Sequence, residues 1–525
     1  MIILDPEVYS VIGQGIKYSV DAVKPTIGPL GRNIAYDPKM DVPYIVNNGR
    51  EIIKRVNFID DKALMVGVDT VKQAMEKTYW AAGDGSVATA IIIQRLWDEG
   101  MKNIAAGADP MALGRGIKKA ADCAVSELEK LTDKAKKEDV RGLALCAAGG
   151  RDDVADIVCD IYDHIGPNGY VTVEDSQMAE THVSYFKGVR WEKGFQGFWE
   201  IDSVTQENVK ILLINRIVNR FEELAPVIKE ARDKNTPLLI IARELKDDVI
   251  NALHYVRDNG GVDVMGVIAP GYGEVRDTNM ASFAAMFEGT VFDDMMTEVQ
   301  DMKLSDCGHA DKVIISKKET IIQGIPNPDD PEVVARRQRL YDDLDHIKDE
   351  NERYRIEQML TPLAGDTASV LVGGVMEMEM FERKYLVENS IHNTYNALKN
   401  GMLPGGGKGY ILAVPAVRSF AEGLEKDEKT GALIFADALT APAFQISENA
   451  GLDGKHSVES MLAEKKKYNG INVFTGAMED MKKSGILDSA AVIKSAVITA
   501  VSSISTTLSV AACVVARDPE KEEYM

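Results

Sequence analysis

The chain of 525 residues is too long for a single hydrophobic core, and its length predicts about two to four domains. Hydrophobic residues make up 45% of the sequence and charged residues 27%, which is typical of a soluble globular protein. The formal net charge of −22 argues against nucleic acid and against an anionic membrane as partners, because binding to either needs a basic face.

The sequence favours a cytoplasmic protein without a metal site built from cysteine or histidine. No uninterrupted apolar run has membrane-spanning length, and the segment Met1–Pro6 lacks the basic start and the cleavage site of a signal peptide. The cysteines show no Cys-x-x-Cys spacing, so we expect buried, reduced thiols rather than disulfides or a zinc site. They are Cys123, Cys146, Cys159, Cys307 and Cys513.

The first 130 residues are predicted to be mainly helical. From Tyr9 to Lys24 apolar residues recur at helical spacing, and Pro25 ends the pattern. A glycine-containing turn follows at residues 26–33, and Asn47-Asn48-Gly49 is a signal for a β-hairpin. From Lys62 to about Lys130 the pattern is helical again.

The middle of the chain has the pattern of an α/β domain. Short apolar strands are predicted at Val209–Ile214, Pro237–Ala242 and Val264–Ala269, with helices at Phe221–Lys234 and Asp247–Asp258 between them. This alternation indicates βαβ units. Because helical sequence lies on both sides, we predict that the α/β domain is inserted into a helical domain formed by both ends of the chain.

Three glycine-rich turns fall in the predicted helical domain. They are Gly28-Pro29-Leu30-Gly31, Gly83-Asp84-Gly85 and Gly405-Gly406-Gly407. A single turn of this kind is weak evidence, because most such triplets are ordinary turns. Glycines let backbone N–H groups approach an anion, and the helix after Asp84 presents its positive end to the same charge. We interpret the three turns together as the lining of a nucleotide pocket in which Asp84 holds Mg²⁺ against the phosphates.

Six segments agree in order and spacing with one known family. They are Val23–Asn33, Ala81–Gly85, Ala105–Met111, Pro237–Ala242, Gly405–Gly407 and Gly485–Asp488. On these segments the chain resembles the group I chaperonins, the bacterial GroEL-like ring chaperones, as a divergent member. The resemblance implies a multidomain α and α/β fold with a helical equatorial domain, a small intermediate domain and an inserted α/β apical domain.

The resemblance also implies boundaries for these domains. The equatorial domain takes residues 1–130 and 401–525, the intermediate domain residues 131–187 and 367–400, and the apical domain residues 188–366. The family forms seven-membered rings that enclose non-native polypeptide. No long insertion between Gly289 and Lys312 would form a built-in lid, so a separate co-chaperonin lid is compatible with the sequence.

Carried over residue by residue, the resemblance implies a site for ATP and Mg²⁺, with Asp84 as the magnesium ligand. The implied nucleotide contacts are Thr26, Gly28, Pro29, Asp84, Gly85, Ser86, Gly405, Gly406, Asn472 and Asp488. Phe195, Phe198, Trp199, Leu224, Ile228, Ile250 and Tyr255 match the family's surface for exposed hydrophobic chains, with a place in the domain core as the alternative.

The chain departs from the family at the hydrolytic positions. Asn48 and Asn389 stand where the family has the two acids that position and polarise the attacking water, whether by natural drift or by engineering. Asn47 replaces a lysine and Val87 a threonine of the potassium-assisted phosphate site. We therefore expect an ATP-binding chaperonin ring with weakened or lost hydrolysis. The alternative is a pseudo-chaperonin that serves as a structural or assembly scaffold without a folding cycle.

Overall fold

The computed structural model describes residues 2–4, 6–36, 44–56, 62–166, 170–176, 178–191, 193–195, 203–293, 302–317, 319–344 and 366–514, with isolated residues between 347 and 363. The chain divides into two compact units. Residues 1–163, 173–182 and 371–525 form the first, called here the helical unit, and residues 164–172 and 183–370 form the second, the α/β unit. The finer division into equatorial, intermediate and apical domains stays a prediction.

Helices dominate both ends of the described chain. They are α1 (Glu7–Val23), α2 (Gly49–Arg55), α3 (Lys62–Ala82), α4 (Ser86–Ala105), α5 (Pro110–Leu131), α6 (Val140–Ala147), α7 (Asp152–Ile165), α8 (Ala225–Asp233), α9 (Asp247–Asn259), α10 (Glu274–Phe287), α11 (Pro331–Leu344), α12 (Glu377–Asn400), α13 (Lys408–Ile411), α14 (Val414–Ala421), α15 (Lys426–Ala438), α16 (Ala441–Asn449), α17 (Gly454–Ala463) and α18 (Ala490–Thr507).

The described strands are short, apart from one long strand in the α/β unit. They are β1 (Ile2–Leu4), β2 (Ile34–Tyr36), β3 (Tyr44–Val46), β4 (Tyr170–Asp175), β5 (His182–Lys187), β6 (Val189–Trp191), β7 (Ser203–Val218), β8 (Leu238–Leu245), β9 (Val264–Ile268), β10 (Val291–Phe292), β11 (Gly308–Ser316), β12 (Thr320–Gln323), β13 (Asp366–Val372), β14 (Met402–Pro404), β15 (Asn469–Asn472), β16 (Ala477–Asp480), β17 (Leu487–Ser489) and β18 (Ala512–Val514). Strands β4, β13 and β5 form a three-stranded sheet in that order.

Local sequence explains where the helices of the helical unit begin and end. Helix α1 ends at Val23 because Pro25, in the following 3₁₀ turn, has no N–H to continue the helix. Helix α5 begins with Pro110, whose fixed φ suits the first helical position. Asp109 caps it, and its carboxylate accepts the N–H groups of Met111 and Ala112 at 3.1 Å each.

Both ends of the described chain lie in the helical unit. Strands β1 and β18 pair antiparallel, with Ile3 opposite Cys513. The hydroxyl of Tyr9 on α1 donates to the carbonyl of Leu508 at 3.3 Å. The two terminal parts of the sequence therefore share one core, as the pattern of the sequence predicted.

Helix α18 runs through the core of the helical unit. Its side chains Ile493, Val497 and Ile504 are fully buried, and the helix packs against α3, α4 and α5. Among the described helices it is the one long and apolar enough to cross a membrane, with a mean hydropathy of 1.3 over 18 residues. Since 56% of it is buried inside the protein, it has the character of a core helix, and its length and composition are weak evidence for a membrane span.

The α/β unit is built on a seven-stranded mixed sheet. The strand order is β6-β12-β11-β7-β8-β9, and β10 also pairs with β7. Strands β7, β8 and β9 are parallel and match the three predicted apolar strands, although Pro237 and Ala269 fall just outside β8 and β9. Helices α8 and α9 lie in the connections between them. Residues Leu238–Ala242 of β8 are fully buried because β8 is a central strand of the parallel part of the sheet.

The hairpin predicted at Asn47-Asn48-Gly49 is wrong. Strands β2 and β3 pair antiparallel just before this segment, and Asn48 is instead the N-cap of α2. Its side-chain Oδ1 accepts the N–H groups of Arg50 at 2.9 Å and Glu51 at 3.2 Å. These N–H groups have no partner inside the helix, and the asparagine side chain satisfies them.

Candidate nucleotide-binding site

The turn at Asp84 connects α3 to α4 in the helical unit. Gly85 has φ 85°, in the left-handed region, and immediately precedes α4. A Cβ atom at this position would lie 2.9 Å from Cγ1 of Val492, so both the backbone conformation and the available space require glycine. The Asp84 carboxylate accepts the Gly85 N–H at 2.6 Å. The turn therefore holds a carboxylate at the N-terminal end of a 20-residue helix.

Asp488 comes to the same site from the far end of the sequence. It lies in β17, opposite Leu403 of β14, and this pairing places it beside the turn that begins at Gly405. The Gly405 N–H donates to the carbonyl of Ile486 at 3.0 Å. Cys146 on α6 donates its thiol to Asp488 Oδ1 at 3.3 Å, and a Cβ on Gly405 would lie 3.1 Å from the same sulfur.

Asn393 on α12 fixes the position of Asp488 relative to α6. Its Nδ2 donates to the carbonyl of Leu143 on α6 at 3.0 Å, and its Oδ1 accepts the N–H of Ser489 at 3.2 Å. All of these groups are buried. One side chain therefore joins the helix that carries Cys146 to the strand that carries Asp488.

The two carboxylates of the site are poorly solvated and repel each other. Desolvation, together with the charge of Asp84, raises the pKa of Asp488 to about 7. Desolvation also raises the pKa of Asp84. The hydrogen bonds from the Gly85 N–H and the Asn389 side chain lower this pKa but do not cancel the effect of desolvation. Desolvation and the charge of Asp488 raise the pKa of the Cys146 thiol well above its ordinary value, so this thiol stays protonated.

This arrangement fits a divalent cation that is shared with a ligand. No group of three or more histidine, cysteine or acidic side chains in the described part of the chain forms a metal cluster from protein alone. Mg²⁺ usually binds through one or two carboxylates and takes its other ligands from phosphates and water. Asp84 and Asp488 supply that number of carboxylates, and a cation between them would relieve their repulsion.

The two asparagines at the positions implied for hydrolysis lie on α12 and at the N-cap of α2. Asn389 on α12 hydrogen-bonds to Asp84, and its Oδ1 is buried without a hydrogen-bond partner among the described residues. The Oδ1 of Asn47 is likewise buried and unpartnered among them. Gly49 at the start of α2 packs on Val87, and a Cβ there would lie 3.4 Å from Thr26 Oγ1. The structure therefore brings the four substituted positions to the same region.

Two hydroxyl groups implied as nucleotide contacts are already bonded to the backbone. Thr26 Oγ1 donates to the carbonyl of Val23 at 2.8 Å, and Ser86 Oγ donates to the carbonyl of Met75 at 3.0 Å. Both residues are buried. Each hydroxyl retains lone pairs that accept hydrogen bonds, while the Ser86 N–H belongs to the first turn of α4.

The turn at Gly28-Pro29 and the strand that ends at Asn472 form another part of the site region. Asn449 on α16 donates to the carbonyls of Lys24 and Ile27 at 2.9 Å each, which holds the Gly28 turn in place. Asn472 Nδ2 donates to Glu479 at 2.9 Å. A Cβ on Gly406 would lie 3.9 Å from the carbonyl oxygen of Ile471, so the third glycine turn approaches the strand that carries Asn472.

Arg50 makes contacts near the site that were not predicted from the sequence. Its guanidinium carbon lies 4.0 Å from the ring centroid of Tyr79 and 4.7 Å from that of Trp80, both on α3. These cation–π contacts hold α2, and with it the Asn48 cap, against the helix that leads to Asp84. The sequence shows an arginine next to a glycine, which by itself carries no signal for this contact.

The residues implied as client-binding lie in the α/β unit, and most of them are buried. Phe195 is 5% exposed, Leu224 0%, Ile228 4% and Ile250 5%, and all four belong to the cores on the faces of the sheet. Tyr255 on α9 is 70% exposed. Phe198 and Trp199 lie outside the described residues. Burial favours a core role for the first four side chains, and Tyr255 is available at the surface.

Comparison with protein families gives a match over most of the chain. Residues 20–235 and 222–518 match the profile of the TCP-1/cpn60 chaperonin family. The matched ranges together cover most of both units and include every implied nucleotide contact from Thr26 to Asp488.

We predict that Asp488→Asn stabilises the protein at pH 8 in the absence of metal and nucleotide. A raised carboxyl pKa means that the folded state holds the proton more tightly, so wild-type stability falls as the pH rises from about 4 to about 7. The neutral amide removes this loss, which amounts to about 2–4 kcal/mol at pH 8. Urea unfolding followed by circular dichroism at pH 4.5 and pH 8 measures the effect.

The matched control for this prediction is Asp69→Asn, at an exposed position on α3. Its effect on the free energy of unfolding should be small and nearly independent of pH. An Asp488→Asn effect of the same size at both pH values would contradict the buried carboxylate pair.

Proposed function

This chain belongs to the TCP-1/cpn60 chaperonin family, and from that premise we propose that it is an ATP-binding subunit of a cytoplasmic chaperonin ring. In this proposal the ring binds and encloses non-native polypeptide. It holds Mg·ATP but hydrolyses it slowly or not at all. The main support for the nucleotide site is that Asp84 and Asp488 lie close together beside the glycine turns.

Nucleotide binding is supported by groups that survive in this chain. The turn at Gly85 opens the N-terminal end of α4 to an anion, and Asp84 stands beside it as a ligand for a hard cation. Replacing two family acids by Asn48 and Asn389 removes negative charge around the triphosphate. Ground-state affinity for ATP is therefore retained or increased.

Weak hydrolysis follows from the chemistry of the amide group. A general base typically contributes about 10²–10⁴-fold to the rate, and an amide oxygen is too weak a base to accept a proton from water. Asn48 has its Oδ1 occupied by two backbone N–H groups, and Asn389 bonds to Asp84. Both side chains preserve the shape of the site and lack the carboxylate that accepts the proton.

We expect the double change Asn48→Asp with Asn389→Asp to raise ATP turnover. Aspartate is as good an N-cap as asparagine, so α2 should remain intact. The increase should stay below the full 10²–10⁴-fold, because Asn47 and Val87 leave the potassium-assisted phosphate site incomplete. Steady-state phosphate release, measured beside calorimetric ATP binding, tests this expectation.

Two controls accompany the turnover measurement. Asn235→Asp makes the same chemical change at an exposed position of the α/β unit and should leave turnover unchanged. Asp84→Ala should abolish Mg·ATP binding while the protein remains folded. Turnover of the unmodified protein equal to that of an ordinary chaperonin would refute the assignment of Asn48 and Asn389.

The same two asparagines favour a second function, a scaffold that keeps the ring and has lost the folding cycle. Electron microscopy of the assembly with and without ATP separates the two functions. A nucleotide-dependent change in the ring supports the folding machine. Bound ATP without any such change supports the scaffold.

Members of this family form oligomeric rings, and we predict that this chain forms rings of seven. The specific number comes from the group I resemblance of the sequence. Mass photometry at micromolar concentration should give an assembly whose mass is seven times the 57.5 kDa chain, or a multiple of that mass. Monomer as the main species under these conditions would rule the ring out.

We predict that Tyr255 contributes to client binding. It is the one member of the implied client-binding set that the structure describes as exposed, at 70%. Tyr255→Glu places a charge on this surface and should weaken the suppression of aggregation of a denatured test protein. Tyr272→Glu is the matched control, because Tyr272 is 78% exposed in the same unit and lies outside the implied set. Equal effects of the two changes would remove Tyr255 from the client surface.

A further inference from the structure

Phe474 is an exposed aromatic side chain next to an implied nucleotide contact. It lies in the turn between β15 and β16, two residues after Asn472, and is 59% exposed. The turn is firmly held, because Asn472 Oδ1 accepts the Phe474 N–H at 3.0 Å and the Asn472 carbonyl accepts the Gly476 N–H at 2.8 Å. These two hydrogen bonds fix the backbone on both sides of the exposed ring.

The Phe474 ring reaches across to two other segments of the site region. A Cβ on Gly150 would lie 3.2 Å from Phe474 Cζ and 3.7 Å from the Cβ of Pro29. Gly150 has φ 86°, a conformation that glycine adopts without strain. The three residues therefore converge at one point, where the Gly28-Pro29 turn, the end of α6 and the β15–β16 turn meet.

Helix α6 connects this point to the carboxylates. It carries Cys146, whose thiol bonds to Asp488, and its C-terminal turn ends at Gly150, whose N–H donates to the carbonyl of Leu145 at 2.8 Å. The thiol that contacts Asp488 and the glycine that contacts Phe474 are thus four residues apart, at the C-terminal end of α6, which places an acidic part of the site close to an aromatic part. The acids suit a metal-bound phosphate chain, and the exposed ring suits the apolar face of a base.

We propose that Phe474 stacks on the base of the bound nucleotide and makes the pocket tolerant of different purines. This inference rests on the proposed nucleotide-binding function. A phenyl ring offers a π-face and no hydrogen bond, so it attracts every purine without reading its edge groups. Mg·GTP therefore binds with an affinity within about tenfold of that of Mg·ATP.

The test compares nucleotides with a ligand that has no base. Calorimetry gives the dissociation constants of Mg·ATP, Mg·GTP and magnesium tripolyphosphate for the wild type, Phe474→Ala and Phe474→Trp. Phe474→Ala should weaken both nucleotides about 5-fold to 100-fold and leave tripolyphosphate unchanged. Phe474→Trp should bind both nucleotides at least as tightly as the wild type, because indole offers a larger stacking face.

The controls separate this inference from the proposed function. Phe420→Ala removes another exposed phenylalanine, 37% exposed on α14, and should leave all three affinities unchanged. A wild type that binds no Mg·ATP refutes the proposed function. If the wild type binds Mg·ATP and Phe474→Ala binds it with the same affinity, only the stacking of Phe474 is refuted.

Three further results would overturn the inference about Phe474. An equal loss of affinity for tripolyphosphate would mean that the Phe474 change disturbs the phosphate end of the site. A change in assembly mass by mass photometry, with nucleotide affinity unchanged, would assign Phe474 to a contact between subunits. Discrimination of more than about tenfold against Mg·GTP by the wild type would refute the tolerance of purines.

Discussion

The candidate site in the helical unit depends on bringing two carboxylates, those of Asp84 and Asp488, into one desolvated region. The two residues come from a turn between helices and from a short strand, about 400 positions apart in the sequence. Folding places their carboxylates in one poorly solvated region, where each charge disfavours the other. Such an arrangement lowers the stability of the unliganded protein, and in the proposed function a bound cation would relieve the repulsion. Under that proposal, part of the folding stability is exchanged for ligand affinity.

The sequence predicted the parts of this site that depend on local backbone geometry. Gly85 in the Asp84 turn is one such residue. Its left-handed backbone conformation and the close approach of Val492 both require a glycine, and a glycine in a turn can be recognised from the sequence. Asn48 shows the limit of such inference. An asparagine before a glycine suits both a hairpin turn and a helix N-cap, and the helix that begins at Gly49 decides between them.

Contacts between distant segments were beyond prediction from the sequence. Cys146 and Asp488 are 342 residues apart, and no spacing rule connects a lone cysteine to a particular acid. The same holds for the approach of Phe474 to Gly150, which depends on how two turns are placed by the helices behind them. Local patterns specify the segments, whereas the packing of the core specifies which segments meet.

In the α/β unit, the alternation of strands and helices in the sequence predicted the fold, whereas it did not show which apolar side chains are exposed. The apolar runs at β7, β8 and β9 and the helices between them are where the sequence placed them. The spacing of apolar residues in the sequence of α8 and α9 predicts an apolar stripe on each helix. It does not show whether the stripe packs against the sheet or is exposed. The structure places Leu224, Ile228 and Ile250 against the sheet, so the stripe belongs largely to the core.

The shared core of the two chain ends also affects how the protein is made. Helix α1 cannot complete its packing until the segment around Leu508 has been synthesised, because Tyr9 and Leu508 belong to the same core. Translation proceeds at about 5–20 residues per second, so the first helices wait on the order of tens of seconds for their partners. The sheet of the α/β unit, by contrast, lies within residues 189–323 and is complete earlier. A chain of this topology therefore exposes apolar helices during its own synthesis, and such surfaces are prone to aggregation until the last helix is made.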